Sequence, residues 1–286
     1  MKSNILALTI LALFSFSSCQ AQSSNHSKKE KMESQVTETN SYVHSHGMPY
    51  KGKILMVASS PAVSNQTGWP IGFWAAELTH PLQVFQEAGY EVELVSTEGG
   101  RVVMDSYSNP LDASGYSAHD VISLGYMQLD WFNQMLESTK KITEVNSNDY
   151  DAIFLVGGQG PMYTFKGNHD LEKLFANFYE SGKPSAAVCH SATLLLEAKT
   201  SNGALIVDGK TWTGFANAEE EYADKAVGQK IQPYWIEEEA RKLPNTTFKV
   251  AAPFSSYAIE DGNLITGQQQ NSGAVAARLV VQQLAK

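Results

Sequence analysis

Two stretches of the chain, 53–58 and 150–156, are nearly continuous in apolar residues. That pattern marks strands buried on both faces of a parallel sheet. Segments 90–96 and 185–188 read as two more strands. Between the first strand and 90–96, Phe73, Trp74, Leu78, Leu82 and Phe85 recur near helical spacing, which predicts a helix over 72–89 closed by Gly89. Strand, helix and strand form one βαβ unit. Segment 59–71 reads as a loop with Pro61, Gly68 and Pro70. Further helices are predicted over 124–137, 171–181, 192–198, 233–243 and 273–284. Short strands are predicted over 204–207, 211–213, 248–250, 257–259 and 264–266. Segment 99–148 is less regular, punctuated by Asp112, Gly115 and Asp120, and is expected to be a small inserted cap. The alternation predicts an α/β fold, a parallel sheet sandwiched by helices, whose ligands bind at the C-terminal ends of the strands.

Composition changes little in this picture until the first fifty residues. The chain has 286 residues, 43% hydrophobic and 18% charged, with a net charge of −9. An acidic surface argues against an extended nucleic-acid partner. Lys2 followed by the apolar run 5–16 reads as a signal peptide over 1–19, too short for a comfortable membrane span. Ser17, Ser18 and Cys19 resemble a bacterial lipobox, with Cys19 as the lipidated residue and a lipid anchor in the membrane. Cleavage after Ala21 with free secretion is the other reading, and both export the protein to the periplasm or the membrane surface. Residues 20–49 are polar and read as a disordered tether, with His44 and His46 inside it. The domain proper is expected over 50–286.

The candidate chemistry centres on Cys189. A strand of small residues turns there into a segment of helix formers, the form of a nucleophile elbow. A helix N-terminus favours an anion and lowers a thiol pKa, so Cys189 is expected to be a reactive thiolate. A buried structural cysteine is the competing reading. The chain has two cysteines and Cys19 belongs to the signal, so no disulfide framework is expected. Glu77 is either a surface residue of its helix or a buried carboxyl serving as acid or base. Gly157, Gly158, Gln159 and Gly160 end a strand; they fit neither standard phosphate-binding pattern and suit N–H groups aimed at a reacting oxygen. Glu219, Glu220 and Glu221 form an acidic run that reads as a solvated helix start or as the source of one carboxylate that orients His190. No metal-ligand set stands out.

Five separated stretches, in order, resemble the ThiJ/PfpI superfamily: 67–81, 150–160, 187–190, 213–221 and 261–268. Within it the chain is most similar to the heat-shock glyoxalase III/chaperone branch. The resemblance spans 51 to the C-terminus and implies a flavodoxin-like, glutamine-amidotransferase-like fold. It implies that Cys189 is the nucleophile, with His190 beside it and the Glu77 carboxyl on its sulfur. It places Glu220 as the acid partner of the histidine, with Glu219 the near alternative. Gly158 and the His190 backbone N–H would bind an oxyanion, and Gln159 and Gly160 would line the substrate. Read from the residues themselves, Trp69, Phe73 and Trp74 either wall the pocket or pack in the core. The implied activity is a cysteine-dependent, glutathione-independent conversion of methylglyoxal or a similar small aldehyde to a hydroxy acid such as lactate, with no cofactor and no metal. The resemblance further implies a homodimer. Competing readings are a holdase chaperone for misfolded clients, an amidase or peptidase, and a redox sensor. Two departures line the pocket: Gln159 where the branch has His, and Ser191 with Ala192 where it has Gly and Pro.

Overall fold

The structure is a computed structural model and describes residues 49–286. The expected signal segment, the tether, Cys19, His44 and His46 lie outside the described residues. Among the described residues, no helix is long and apolar enough to cross a membrane.

Seven strands form one sheet, in the spatial order Ala258–Asp261, Leu264–Gly267, Ser185–Val188, Ala152–Leu155, Lys53–Ala58, Glu91–Ser96 and Lys140–Lys141. Every neighbouring pair is parallel except the first. Successive side chains of a strand face opposite sides of the sheet, so each central strand feeds two cores. Ile54, Met56, Phe154, Ala186 and Val188 pack with Leu78, Leu82 and Phe85 of the Ala75–Glu87 helix and with Ala276, Ala277 and Val280 of the Gly273–Leu284 helix. Leu55, Val57, Ile153, Leu155 and Ala187 pack on the other side with Leu171, Leu174, Phe175 and Phe178 of the His169–Glu180 helix. The uninterrupted apolar runs of the sequence are the direct record of this two-sided burial. The Asn168 side chain caps the His169–Glu180 helix by accepting from the Leu171 N–H at 3.1 Å.

Several sequence expectations are corrected. The sheet is not purely parallel, because Gly262 at φ +66° lets the chain turn back tightly between its last two strands. Residues 204–207 are not a strand. Ile206 and Val207 are buried, but the backbone there closes local turns, with Asp208 N–H donating to the Leu205 carbonyl at 3.0 Å. The single helix expected over 124–137 is two, Val121–Met127 and Asp130–Glu137. The segment behind Cys189 is a 3-10 helix, Cys189–Leu196. The expected loop 59–71 contains a two-stranded pair, Ala62–Val63 with Pro70–Ile71. Segment 99–148 does more than cap: Lys140–Lys141 adds an edge strand beside Val95 and Ser96. A two-residue edge strand of lysines leaves no hydrophobic signature to read.

Phe154 is fully buried on the central strand and meets Phe85 edge-on, with ring centroids 5.7 Å apart. Truncating it leaves a cavity in the core under the sheet. Phe154→Ala is expected to lower stability by about 3–5 kcal/mol in urea unfolding, and a loss below about 1 kcal/mol would contradict this placement.

Candidate active site

Cys189 follows the last residue of the Ser185–Val188 strand and sits at φ +59°, a left-handed conformation that a non-glycine residue adopts only under constraint. Ser191 supplies the constraint. Its Oγ accepts from the Val188 N–H at 2.8 Å and lies 3.0 Å from the Leu155 carbonyl, tying the corner to two adjacent strands. The elbow expected from the sequence is therefore present, built on a 3-10 turn.

Glu77 reaches the same point from the first turn of the Ala75–Glu87 helix. It is fully buried, so the surface reading of this residue does not hold. Neither carboxyl oxygen has a partner of ordinary hydrogen-bond geometry; the groups that bear on it are the Cys189 thiol and the Gly157 N–H. Burial pushes this carboxyl up to about 8, against the pull of those two groups. Gly157 is the residue that makes the approach feasible, since a Cβ there would overlap Glu77 Oε2 and lie 2.7 Å from Cys189 Cβ.

His190 completes the cluster. Its Nδ1 lies 3.3 Å from Cys189 Sγ and its Nε2 lies 2.9 Å from Glu220 Oε1. Phe215 stacks on the imidazole at 4.2 Å between centroids. Of the two candidate acids, Glu220 is the one that meets His190. Glu219 is committed elsewhere: it accepts from Ala216 N–H, Phe254 N–H and Gln268 Nε2, which anchors the loop around Phe254. Burial pushes both glutamates up, and His190 pulls against that rise.

Burial works against the expected thiolate. Burial is the largest influence on Cys189 and pushes the thiol well up, and a charged Glu77 adds to it; the backbone N–H groups of His190 and Gly158 pull it down. A short 3-10 turn does not outweigh full desolvation. Burial thus pushes both the sulfur and the carboxyl toward their neutral forms.

A cavity opens over the sulfur. Trp69, Trp74, Tyr107, Tyr116, Phe215, Tyr222 and Phe254 supply its aromatic walls, and Gly158, Gln159, Glu220, Gln232 and Gln270 contribute to its polar lining. No Lys or Arg is among its lining residues, which suits the site to a neutral carbonyl compound better than to a phosphate. Phe73 is core, not wall. Gly160 is also removed from the expected lining: its N–H donates to the Gly72 carbonyl at 2.8 Å. Gln159 lines the cavity, but its N–H is taken by Asp105. Among the described residues, no group of three or more His, Cys, Asp or Glu is spaced to hold a metal ion. The sequence reading missed Asp105, Tyr107 and Tyr116, which come from the irregular 99–148 segment, and Phe254, which sits at φ +57°. Aromatics in an otherwise Ser-, Gly- and Asp-rich stretch were the available signal for Tyr107 and Tyr116.

Because burial pushes the Cys189 thiol up, alkylation of Cys189 by iodoacetamide should be slow at pH 6 and accelerate as the solution is made alkaline. Full reactivity already at pH 6, read by mass spectrometry, would show a sulfur ionised at rest.

Similarity to known proteins agrees with this geometry. The HSP31 glutathione-independent glyoxalase of Saccharomyces cerevisiae is 30% identical over 225 residues, 77% of this chain and 92% of that one. The crystal structure of glyoxalase III from Candida albicans superposes with a TM-score of 0.67 at 25% identity, covering 82% of this chain and 98% of that one. The Rapid Encystment Protein 24 kDa of Francisella tularensis superposes with a TM-score of 0.73 at 26% identity, covering 82% and 99%. The DJ-1/PfpI family matches residues 71–283, which takes in the Glu77 helix, the elbow and the closing helix, and the chain belongs to that family.

Proposed function

We propose that the protein is a glutathione-independent glyoxalase that converts methylglyoxal, or a small 2-oxoaldehyde like it, to the corresponding 2-hydroxy acid. The observation that carries the reading is a thiol with an imidazole on one side and a buried, otherwise unpartnered carboxyl on the other, under a pocket lined by no Lys or Arg. The glyoxalase names of the Saccharomyces and Candida proteins point the same way.

His190, oriented by Glu220, takes the proton of Cys189, and the sulfur adds to the aldehyde carbon. The new alkoxide faces the N–H groups of Gly158 and His190 and takes the proton back from the imidazolium, giving a hemithioacetal. Glu77, as carboxylate, removes the hydrogen from C1 and returns it to C2 through an enediol, while His190 carries the hydroxyl proton from O1 to O2. The result is a 2-hydroxy thioester on Cys189. Water cleaves it to the hydroxy acid and the free thiol, so one water is consumed and no net oxidation occurs. A carboxyl that titrates at about 8 is a stronger base than an exposed one, which suits it to a carbon acid.

Purified protein should form lactate from methylglyoxal, and Cys189→Ala should form none. Glu77→Gln should lower kcat by about 10²–10⁴-fold. Since Glu77 must first lose its proton, wild-type kcat/KM should rise with pH through about 8. A silent wild type, or an active Cys189→Ala, would sink the reading. Holdase activity toward misfolded clients is a second reading, favoured by the exposed Leu111, Val121 and Leu129 on the 99–148 segment; it requires suppression of client aggregation that survives Cys189→Ala.

Export as a lipoprotein is proposed from Lys2, the 5–16 run and Cys19. The mature protein should begin at a diacylated Cys19 by mass spectrometry; an intact Met1 in membrane-free extract would refute it.

A further inference from the structure

Asp105 is fully buried and lies outside the thiol, imidazole and carboxyl cluster, yet it joins the two segments that carry that cluster. One carboxyl oxygen accepts from the Gly72 N–H at 2.9 Å, three residues before the Ala75–Glu87 helix. The other accepts from the Gln159 N–H at 2.6 Å, directly after Gly158. The backbone of Asp105 is itself held, its N–H donating to the Phe73 carbonyl at 2.8 Å and its carbonyl receiving Ser108 N–H at 2.9 Å.

Gly158 is the weak point of this region. At φ +113° it occupies backbone space open to glycine, and each peptide unit beside it is free to flip unless something holds it. The preceding unit is held through the Gly157 carbonyl, which accepts from Trp74 N–H at 3.0 Å. The following unit is held, among the described residues, by Asp105 through the Gln159 N–H. The Gly158 N–H belongs to the first of these units and bears on the sulfur; Asp105 acts on its aim by holding the segment that carries Trp74, through the Gly72 N–H and the Phe73 carbonyl, and by fixing the unit on the other side of Gly158.

We infer that Asp105 is a positioning residue: its carboxylate clamps Gly72 and Gln159 so that the Gly158 N–H stays aimed at the reacting centre while the Glu77 helix is held in register with it. Charge-assisted hydrogen bonds from two backbone N–H groups make a stiffer tie than neutral ones. The titratable groups around the clamp are Glu77 and His190, with Glu219 beyond Glu77. Burial pushes Asp105 up to about 7, opposed by the two N–H donors and by His190, so the clamp loosens as the solution is acidified.

Two measurements test this, and only the first rests on the proposed glyoxalase activity. Asp105→Asn keeps one acceptor but turns an NH2 group toward the other N–H. It should lower kcat by about tenfold or more, short of the roughly 10²–10³ lost with a whole oxyanion donor, while KM stays within about threefold. A folded variant whose kcat stays within about twofold of wild type overturns the inference. The second measurement follows the Gln159 amide resonance of the wild-type protein by NMR. It should lie well downfield and exchange slowly with solvent, as expected of an N–H held 2.6 Å from a carboxylate oxygen. An amide at an ordinary shift that exchanges as fast as an open loop overturns the clamp even if Asp105→Asn fails to fold or the wild type turns nothing over; a downfield, protected one supports the clamp in the same circumstances.

Discussion

Burying the Glu77 carboxyl against the Cys189 sulfur, beside a cavity lined by no Lys or Arg, is the constraint around which the rest of the molecule is arranged. Taking a carboxylate out of water without a partner is so unfavourable that the group keeps its proton instead. That same loss of water raises the thiol. Both groups are thus pushed toward their neutral forms, and His190, held by Glu220, is the neighbour placed to take a proton from the sulfur.

The architecture exists to make that meeting feasible. Parallel strands end together at one edge, and the elbow after Val188, the glycine loop after the Ala152–Leu155 strand and the start of the Ala75–Glu87 helix all lie there. Glycines at 157 and 158 remove the side-chain volume that would keep the three segments apart. Ser191 offsets the strain of Cys189 at positive φ by satisfying backbone groups on two strands. Buried carboxyls then take separate tasks by what they touch: Glu220 holds an imidazole, Glu219 anchors the Phe254 loop, and Asp105 ties backbone to backbone.

Much of this was legible in the order of residues. Runs such as 53–58 and 150–156 announce strands covered on both sides, because no solvent-facing position interrupts them. Small residues before and after Cys189 announce a sharp corner, because only they leave room for one. The thiol, the histidine beside it, Glu77 and the acidic run were all identifiable as residue types suited to proton transfer. What escaped was carried by segments with no period: Asp105, Tyr107 and Tyr116 sit in a stretch whose backbone bonds to itself and to distant loops, so neither alternation nor helical spacing marks them.

Local chemistry thus specified the strands, the corner and the reactive residue types, since each depends on neighbours a few positions apart. Charge state and division of labour did not follow from it. Whether Cys189 rests as thiol or thiolate depends on water being excluded by residues more than thirty positions away on either side. Which glutamate faces His190 depends on one helix rotation, set by Glu219 bonding to Phe254 and Gln268. Such outcomes are fixed by burial and by contacts between remote segments, and these exist only once the chain has packed.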